Sequence, residues 1–339
     1  MSPVTRAPTL HDVARRAGVH PATVSRALNR PDMVAPATRT AVLDAVEQIG
    51  FVPNRSARQL VQGRFDAIGV VVPDITNPYF GAILQAIQRG ARRDDLAVLV
   101  ADTGADPDEE RRALAALGRQ VDGLVVLTPL TDLSSAPVPV VQVNRRSRGV
   151  PGVVVDQPAI VASAVDHLAA LGHRHLALVS GPAGYWAASR RVAAAARLAR
   201  QRDLRLDLVG PAPATFAGGR DALDAVRRTG ATGVLAFNDV QAAGLLVAAG
   251  SQGCAVPGEL SIVGSDGLDL AQMTSPPLTT VAAPLDDLGR VALEHLHALR
   301  RGEDPAPHTT LDPHLVPRGT TAPPPGTNEP DPAPAKEHR

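Results

Sequence analysis

The sequence predicts an α plus α/β architecture: a small helical head, a short linking helix and a two-lobed body with parallel sheets. Three observations predict it. Residues 9–28, TLHDVARRAGVHPATVSRAL, read as two short helices around a tight turn. From Ala67 onward, short apolar runs alternate with helical stretches. Charge divides the same way. Residues 1–64 hold nine arginines against Asp12, Asp32, Asp44 and Glu47, although the whole chain has a formal net charge of +0. A basic head on an acidic body suits a phosphate-binding module joined to a domain of another kind. A chain of 339 residues is also too long for one compact core.

Residues 1–8 form an arm without periodicity. Thr9 can cap the first helix, with Asp12 as its partner three residues on. Val13, Ala14 and Ala17 share one apolar face. Gly18 suits the left-handed residue that ends a helix. His20 takes the next cap position. Pro21 suits the first helical position, where no N–H is needed. Val24 and Leu28 point inward, while Ala22, Ser25, Arg26 and Asn29 point outward. A polar helix braced by another in this way is a helix-turn-helix. Pro36 opens a third helix that Gly50 ends; Val42, Val46 and Ile49 complete a minimal core over residues 9–50.

In residues 51–64, FVPNRSARQLVQGR, Asn54 can cap a helix over 55–61. Two turns are too few to be stable alone, so this helix is expected to order only when it binds. In the body, strands are predicted at 67–72, 96–101, 123–128, 139–143 and 152–155, then at 176–180, 206–210, 233–237 and 260–264. Helices are predicted at 78–93, 107–119, 158–171, 187–203, 217–229, 239–252 and 284–301. Continuous apolar strands between helices mean parallel sheets covered on both faces. Two such lobes in series imply a ligand cleft at the carboxyl ends of the strands. The Pro-rich residues 319–339 read as a disordered tail.

Cys254 is the only cysteine, so no internal disulfide is expected. The N-terminal residues lack an apolar signal segment, and no apolar run is long enough to span a membrane. A cytoplasmic protein is expected. No Gly-rich phosphate loop, nucleophile elbow or acid–base pair appears at catalytic spacing, which argues against an enzyme. His167, His173 and His175 straddle a helix end and a strand start without a carboxylate cluster. They are read as a turn rather than a metal site, and no metal or cofactor is expected.

The segments TLHDVARRAGVHPATVSRALN, FVPNRSARQL, IGVVVPDITNPYFGAIL, HLAALGHRHLALVSGP, VLAFNDVQAAG, VPGELSIVGSDG and PPLTTV together resemble the LacI/GalR family of bacterial transcription regulators. The resemblance runs from about Thr9 to Arg318. It implies a headpiece, a hinge helix and a body of the type I periplasmic-binding-protein kind, crossed three times by the chain. The first lobe would comprise 65–157 with 284–308, the second 158–283 with 309–318.

The resemblance also implies partners: double-stranded operator DNA, a small effector that is a sugar, a sugar derivative or nucleoside-like, and a second copy of the chain. Helix 21–28 would enter the major groove, with Arg26 reading guanine. Pro21 and Ala22 would sit where operator choice is made. Thr9, Thr23, Ser25, Asn29 and Thr38 would contact phosphates. Leu10, His20, Asn54 and Arg55 complete the DNA-facing set. Leu60 matches the family's minor-groove wedge, with Ala57 against its twin. Effector contacts would come from Asn77, Tyr79, Phe80, Asn144, Trp186, Ser189, Arg191, Asn238, Asp239 and Asp266, with Thr128 more peripheral. Asn144 and Ser265 depart from the residues common in the family, so no particular sugar is implied. A co-repressor-dependent or ligand-independent regulator is the alternative within the family. A transport binding protein would share the body but not the arginine-rich head.

Overall fold

The computed structural model describes residues 8–51 and 65–326. The chain divides into two units, Met1–Phe65 and Asp66–Arg339. The hinge-helix residues Asn54, Arg55, Ala57 and Leu60 lie outside the described residues.

In the first unit, α1 (Leu10–Ala17), α2 (Pro21–Asn29) and α3 (Pro36–Ile49) follow the predicted boundaries closely. The Thr9 N–H and hydroxyl both donate to the Asp12 carboxylate, at 2.9 and 2.6 Å. Gly18 ends α1 at φ 69°, a conformation that costs a residue with a Cβ. The core comprises Val13, Ala14, Val24, Ala27, Val42, Ala45 and Phe51, with Leu28, Val46 and Ile49 packed at its edge. The predicted linker therefore begins one residue later than the composition suggested. Gly50 turns the chain back at φ 63°, the Phe51 N–H bonds the Val46 carbonyl at 3.0 Å, and the ring closes the core.

The second unit has two six-stranded sheets. The first contains β1 (Ala67–Val72), β2 (Ala97–Asp102), β3 (Leu124–Leu127), β4 (Val140–Val143), β5 (Gly152–Val155) and β11 (His308–Leu311), in the order β11-β5-β4-β3-β1-β2 and all parallel. The second contains β6 (His175–Val179), β7 (Arg205–Val209), β8 (Gly233–Leu235), β9 (Ser261–Asp266), β10 (Thr279–Ala282) and β12 (His314–Val316), in the order β12-β10-β9-β8-β6-β7. Only β12 runs antiparallel.

Helices α4 (Pro78–Arg93), α5 (Pro107–Leu117) and α11 (Leu285–Arg300) cover the first sheet. Helices α6 (Gln157–Ala170), α7 (Trp186–Gln201), α8 (Phe216–Thr229) and α9 (Asp239–Ser251) cover the second. A short α10 (Leu270–Met273) precedes β10. In the first sheet β1, β3 and β5 are buried at every position.

The chain passes between lobes after β5, after β10 and after β11. The third passage falls after Leu311 rather than after residue 308, because Thr309 pairs with Val153 and Leu311 with Val155 in the first sheet. Pro313, which has no N–H for a ladder, separates β11 from β12.

Residues 319–326, expected as the start of a disordered tail, are instead ordered against the second lobe. Thr320 is fully buried. Its hydroxyl donates to the Ile262 carbonyl at 2.7 Å and accepts the Thr279 N–H at 2.9 Å. His173 joins the same segment: Nδ1 meets the Thr232 hydroxyl at 2.8 Å, and Nε2 lies 3.0 Å from the Ala322 carbonyl. His167 meets the Thr321 hydroxyl at 2.9 Å. His175 instead pairs with Asp207 at 2.6 Å. His167 and His173 thus fasten the terminal segment to the second lobe. Among the described residues, no cluster of metal-ligating side chains occurs and no helix is long and apolar enough to cross a membrane.

Candidate effector cleft and nucleic-acid face

Most of the cleft between the lobes is built where strands end. Asn77, Tyr79 and Phe80 follow β1, Thr128 follows β3 and Asn144 follows β4. From the second lobe come Arg191, Asn238 just after β8, and Asp266 at the end of β9. Parallel strands all present their carboxyl ends to one side, so loops distant in sequence converge there. Three wall residues hold left-handed backbone: Thr128 at φ 50°, Asn144 at φ 62° and Asp266 at φ 131°. For a β-branched threonine this is a strained conformation of the kind that gathers at functional sites.

The polar groups are held by bonds within the protein. The Asn77 side chain caps α4 by accepting the Tyr79 N–H at 3.0 Å. The Asn144 amide donates to the Tyr79 hydroxyl at 2.8 Å. Burial, with Asp266 adding to it, pushes the Tyr79 phenol well above its ordinary range, so it stays a neutral donor. Arg191 is buried; its Nε donates to Gln157 Oε1 at 2.7 Å and its Nη1 donates to the Phe237 carbonyl. Its guanidinium carbon stands 4.7 Å above the Phe237 ring. Burial lowers its pKa, and Asp266 offsets part of that.

Asp266 is buried, and burial raises its carboxyl well above the usual range; the nearby Asp239 charge raises it further, while Arg191 pulls it down. The cleft thus offers an aromatic floor, a forked cation and a carboxyl group, a set suited to hydroxyl-rich ligands with a flat face.

Three predicted effector residues are not in this wall. Asp239 is fully buried behind it. One carboxylate oxygen accepts the N–H groups of Gly267 and Leu268, at 2.9 and 2.8 Å, and the other accepts the Thr280 hydroxyl at 2.5 Å. Its work is to hold the turn that carries Asp266. Trp186 and Ser189 lie on the outer side of α7, where the Ser189 hydroxyl bonds the Trp186 carbonyl at 2.8 Å. Ser265 is buried next to Asp266 but is absent from the wall.

Conversely, Gln157, Tyr185, Ala187, Ala214 and Phe237 line the cleft and were not foreseen. Gln157 stands just past the apolar run 152–155 and Phe237 ends the run 233–237, which is the one signal that marked them. Tyr185 tilts toward Phe237 at 6.4 Å between centroids, and burial pushes its phenol up to about 12.

On the headpiece, Arg26 and Ala22 are exposed on α2, with Pro21, Thr23 and Ser25 half-buried beside them. The His20 Nδ1 accepts the Ala22 N–H at 3.2 Å and so caps α2. Thr38 is half-buried near the start of α3. Leu10 packs against the headpiece core, and the Thr9 hydroxyl is engaged by Asp12.

Comparison with known proteins matches both parts. Residues 9–54 match the model for bacterial regulatory proteins of the lacI family, and residues 165–321 match a periplasmic binding protein-like domain. The HTH-type transcriptional regulator DegA of Bacillus subtilis is 30% identical over 331 residues, covering 93% of this chain and 98% of that protein. The HTH-type transcriptional repressor CytR of Escherichia coli K12 is 31% identical over 330 residues, covering 93% and 96%. Among solved structures, the Lac repressor dimer bound to operator and the anti-inducer ONPF superimposes with a TM-score of 0.84 at 28% identity, covering 94% of this chain and 100% of that one. With helix-turn-helix head and two-lobed body both matched along nearly its whole length, the chain belongs to the lacI family of bacterial regulatory proteins and is a DNA-binding transcriptional regulator.

Proposed function

We propose that the protein is a repressor that grips a pseudo-palindromic operator as a homodimer and releases it when a small sugar-like effector enters the cleft. The observation that carries the effector half is the convergence of Tyr79, Asn144, Arg191, Asn238 and Asp266, from both lobes, on one cavity. That cavity measures about 40 Å³, against roughly 300–1,000 Å³ for ligand pockets in general. A ligand therefore enters only as the lobes part or re-close around it. A change in lobe closure is the two-state element that effector and DNA would both bias. Asp239 supports the site from behind; Trp186 and Ser189 have no place in it.

On DNA, α2 lies in the major groove, Arg26 reads guanine, and Ala22 with Pro21 contacts thymine methyl groups. Thr23, Ser25, Asn29 and Thr38 set register on phosphates. Leu60 acts as the minor-groove wedge. The dimer seam includes Phe216 and Val247, large apolar residues that are 42% and 54% exposed on the adjacent helices α8 and α9. The protein acts by binding rather than catalysis, in the bacterial cytoplasm.

Selection of duplexes from a random pool by the full chain tests this reading. A two-fold symmetric consensus, bound far more tightly than random DNA and weakened steeply by salt, is expected. Recovery of no consensus, or of an asymmetric one bound by a monomer, would contradict it.

A further inference from the structure

We propose that the groove beside the cleft, between β5–β11 and the outer face of α7, is a second binding site that takes a phosphate-bearing small molecule. The groove has a volume of about 460 Å³, within the range of ligand pockets. Arg190 and Arg197 project into it from α7, seven residues apart and so on one helix face, with Trp186 on the same stripe. Arg146 reaches it from the opposite wall, after β4, where its guanidinium meets the Thr310 hydroxyl.

None of these three arginines has an acidic partner among the described residues, whereas Arg89, Arg202 and Arg290 elsewhere on the body each meet a carboxylate. The groove's one acidic wall residue, Asp156, caps α6 by accepting the Ala159 N–H at 3.0 Å. Three guanidinium groups without a carboxylate partner, converging from two walls on a concave space, match the charge and multiple acceptors of a phosphate monoester or pyrophosphate. Arg190 sits 5.4 Å over the Trp186 ring, so a bound anion that draws Arg190 away alters the ring's surroundings. Gln157 forms part of both this groove and the cleft wall, where it holds Arg191.

Trp186 is the only tryptophan in the chain, which makes the test direct. The full chain is titrated with inorganic pyrophosphate while tryptophan emission is followed, with potassium chloride at matched ionic strength as reference. The expected result is a saturable change that chloride does not reproduce. It should weaken tenfold or more in the double variant Arg190→Gln/Arg197→Gln, and also in Arg146→Gln on the other wall. Unchanged melting temperatures exclude misfolding. Inorganic phosphate and ribose 5-phosphate distinguish the source: equal affinity identifies free phosphate, and tighter binding of the sugar phosphate identifies a phosphorylated metabolite. A response that follows ionic strength alone, or that survives in the variants, would overturn the proposal. None of these outcomes depends on operator binding.

Discussion

Asp266 shows how a carboxyl group buried in the cleft wall works against stability. Its carboxyl is raised by burial and by Asp239, so the folded state holds a proton more tightly than the unfolded chain does. The sign follows from proton linkage. Near neutral pH the ionised group penalises folding, and stability returns as pH falls through the raised folded value toward the ordinary carboxylate range near about 3.9. Asp266→Asn is therefore expected to raise the melting temperature at neutral pH, with the gain shrinking in acid, while effector-driven release of DNA is lost. Thermal scans across pH check the first half, and a flat difference between variant and parent would refute it. On the headpiece, Arg26→Ala should cost roughly 1–3 kcal/mol of operator affinity and relax the preference at one base pair. Equal loss on cognate and random duplexes would make Arg26 a phosphate contact instead. The sequence named both residues, and the structure puts Asp266 in the cleft wall and leaves Arg26 exposed on α2. Gln157 and Phe237 were not legible there, because an amide after a strand and a phenylalanine in an apolar run look like ordinary structure until the lobes are folded around them.

Elements were read more accurately than contacts. The seven long helices of the body lie within two residues of their expected ends, and all but α7 are opened by a proline or a polar cap. What escaped were the short strands β10, β11 and β12, three or four residues each, which carry too little period to register. The packed segment at 319–322 escaped for a related reason. Its neighbourhood is Pro-rich, and only the fold reveals that two threonine hydroxyls and His173 fasten it. Thr320→Val, which keeps the shape but removes both hydrogen bonds, should destabilise the body by about 1–3 kcal/mol. Denaturant unfolding measures this, and an unchanged midpoint would show the segment to be incidental. Helices α8 and α9 make a stricter demand. A Cβ on Gly219 would stand 1.9 Å from the Gln241 carbonyl oxygen, and one on Gly244 would stand 2.0 Å from that of Phe216. Gly219→Ala must push the pair apart, at a cost of about 1–3 kcal/mol in overpacking. If Phe216 and Val247 do form the seam, the same variant should raise the protein concentration needed for dimers in analytical ultracentrifugation.

For the whole molecule, the decisive property is that one chain joins a basic reading head to a cleft whose walls belong to two lobes. The sequence revealed the head through its arginines and the lobes through their alternating strands and helices. It did not reveal which outer residues the cleft excludes: Trp186 and Ser189 sit at the right place along the chain but on the far side of α7. Helical phase, not sequence position, decides that. Arg191 is the most direct lever on the proposed coupling between head and cleft, because it is buried in the second lobe yet bonded to Gln157 at the first crossing. The measurement is fluorescence anisotropy of a selected operator duplex, titrated with a panel of sugars and nucleosides, for the parent chain and for Arg191→Gln. At least one compound is expected to release the parent from DNA at concentrations where the variant, still bound to the same duplex with similar affinity, does not respond. Release of both proteins by the same concentration, or of neither by any compound, would contradict a cleft that controls the head.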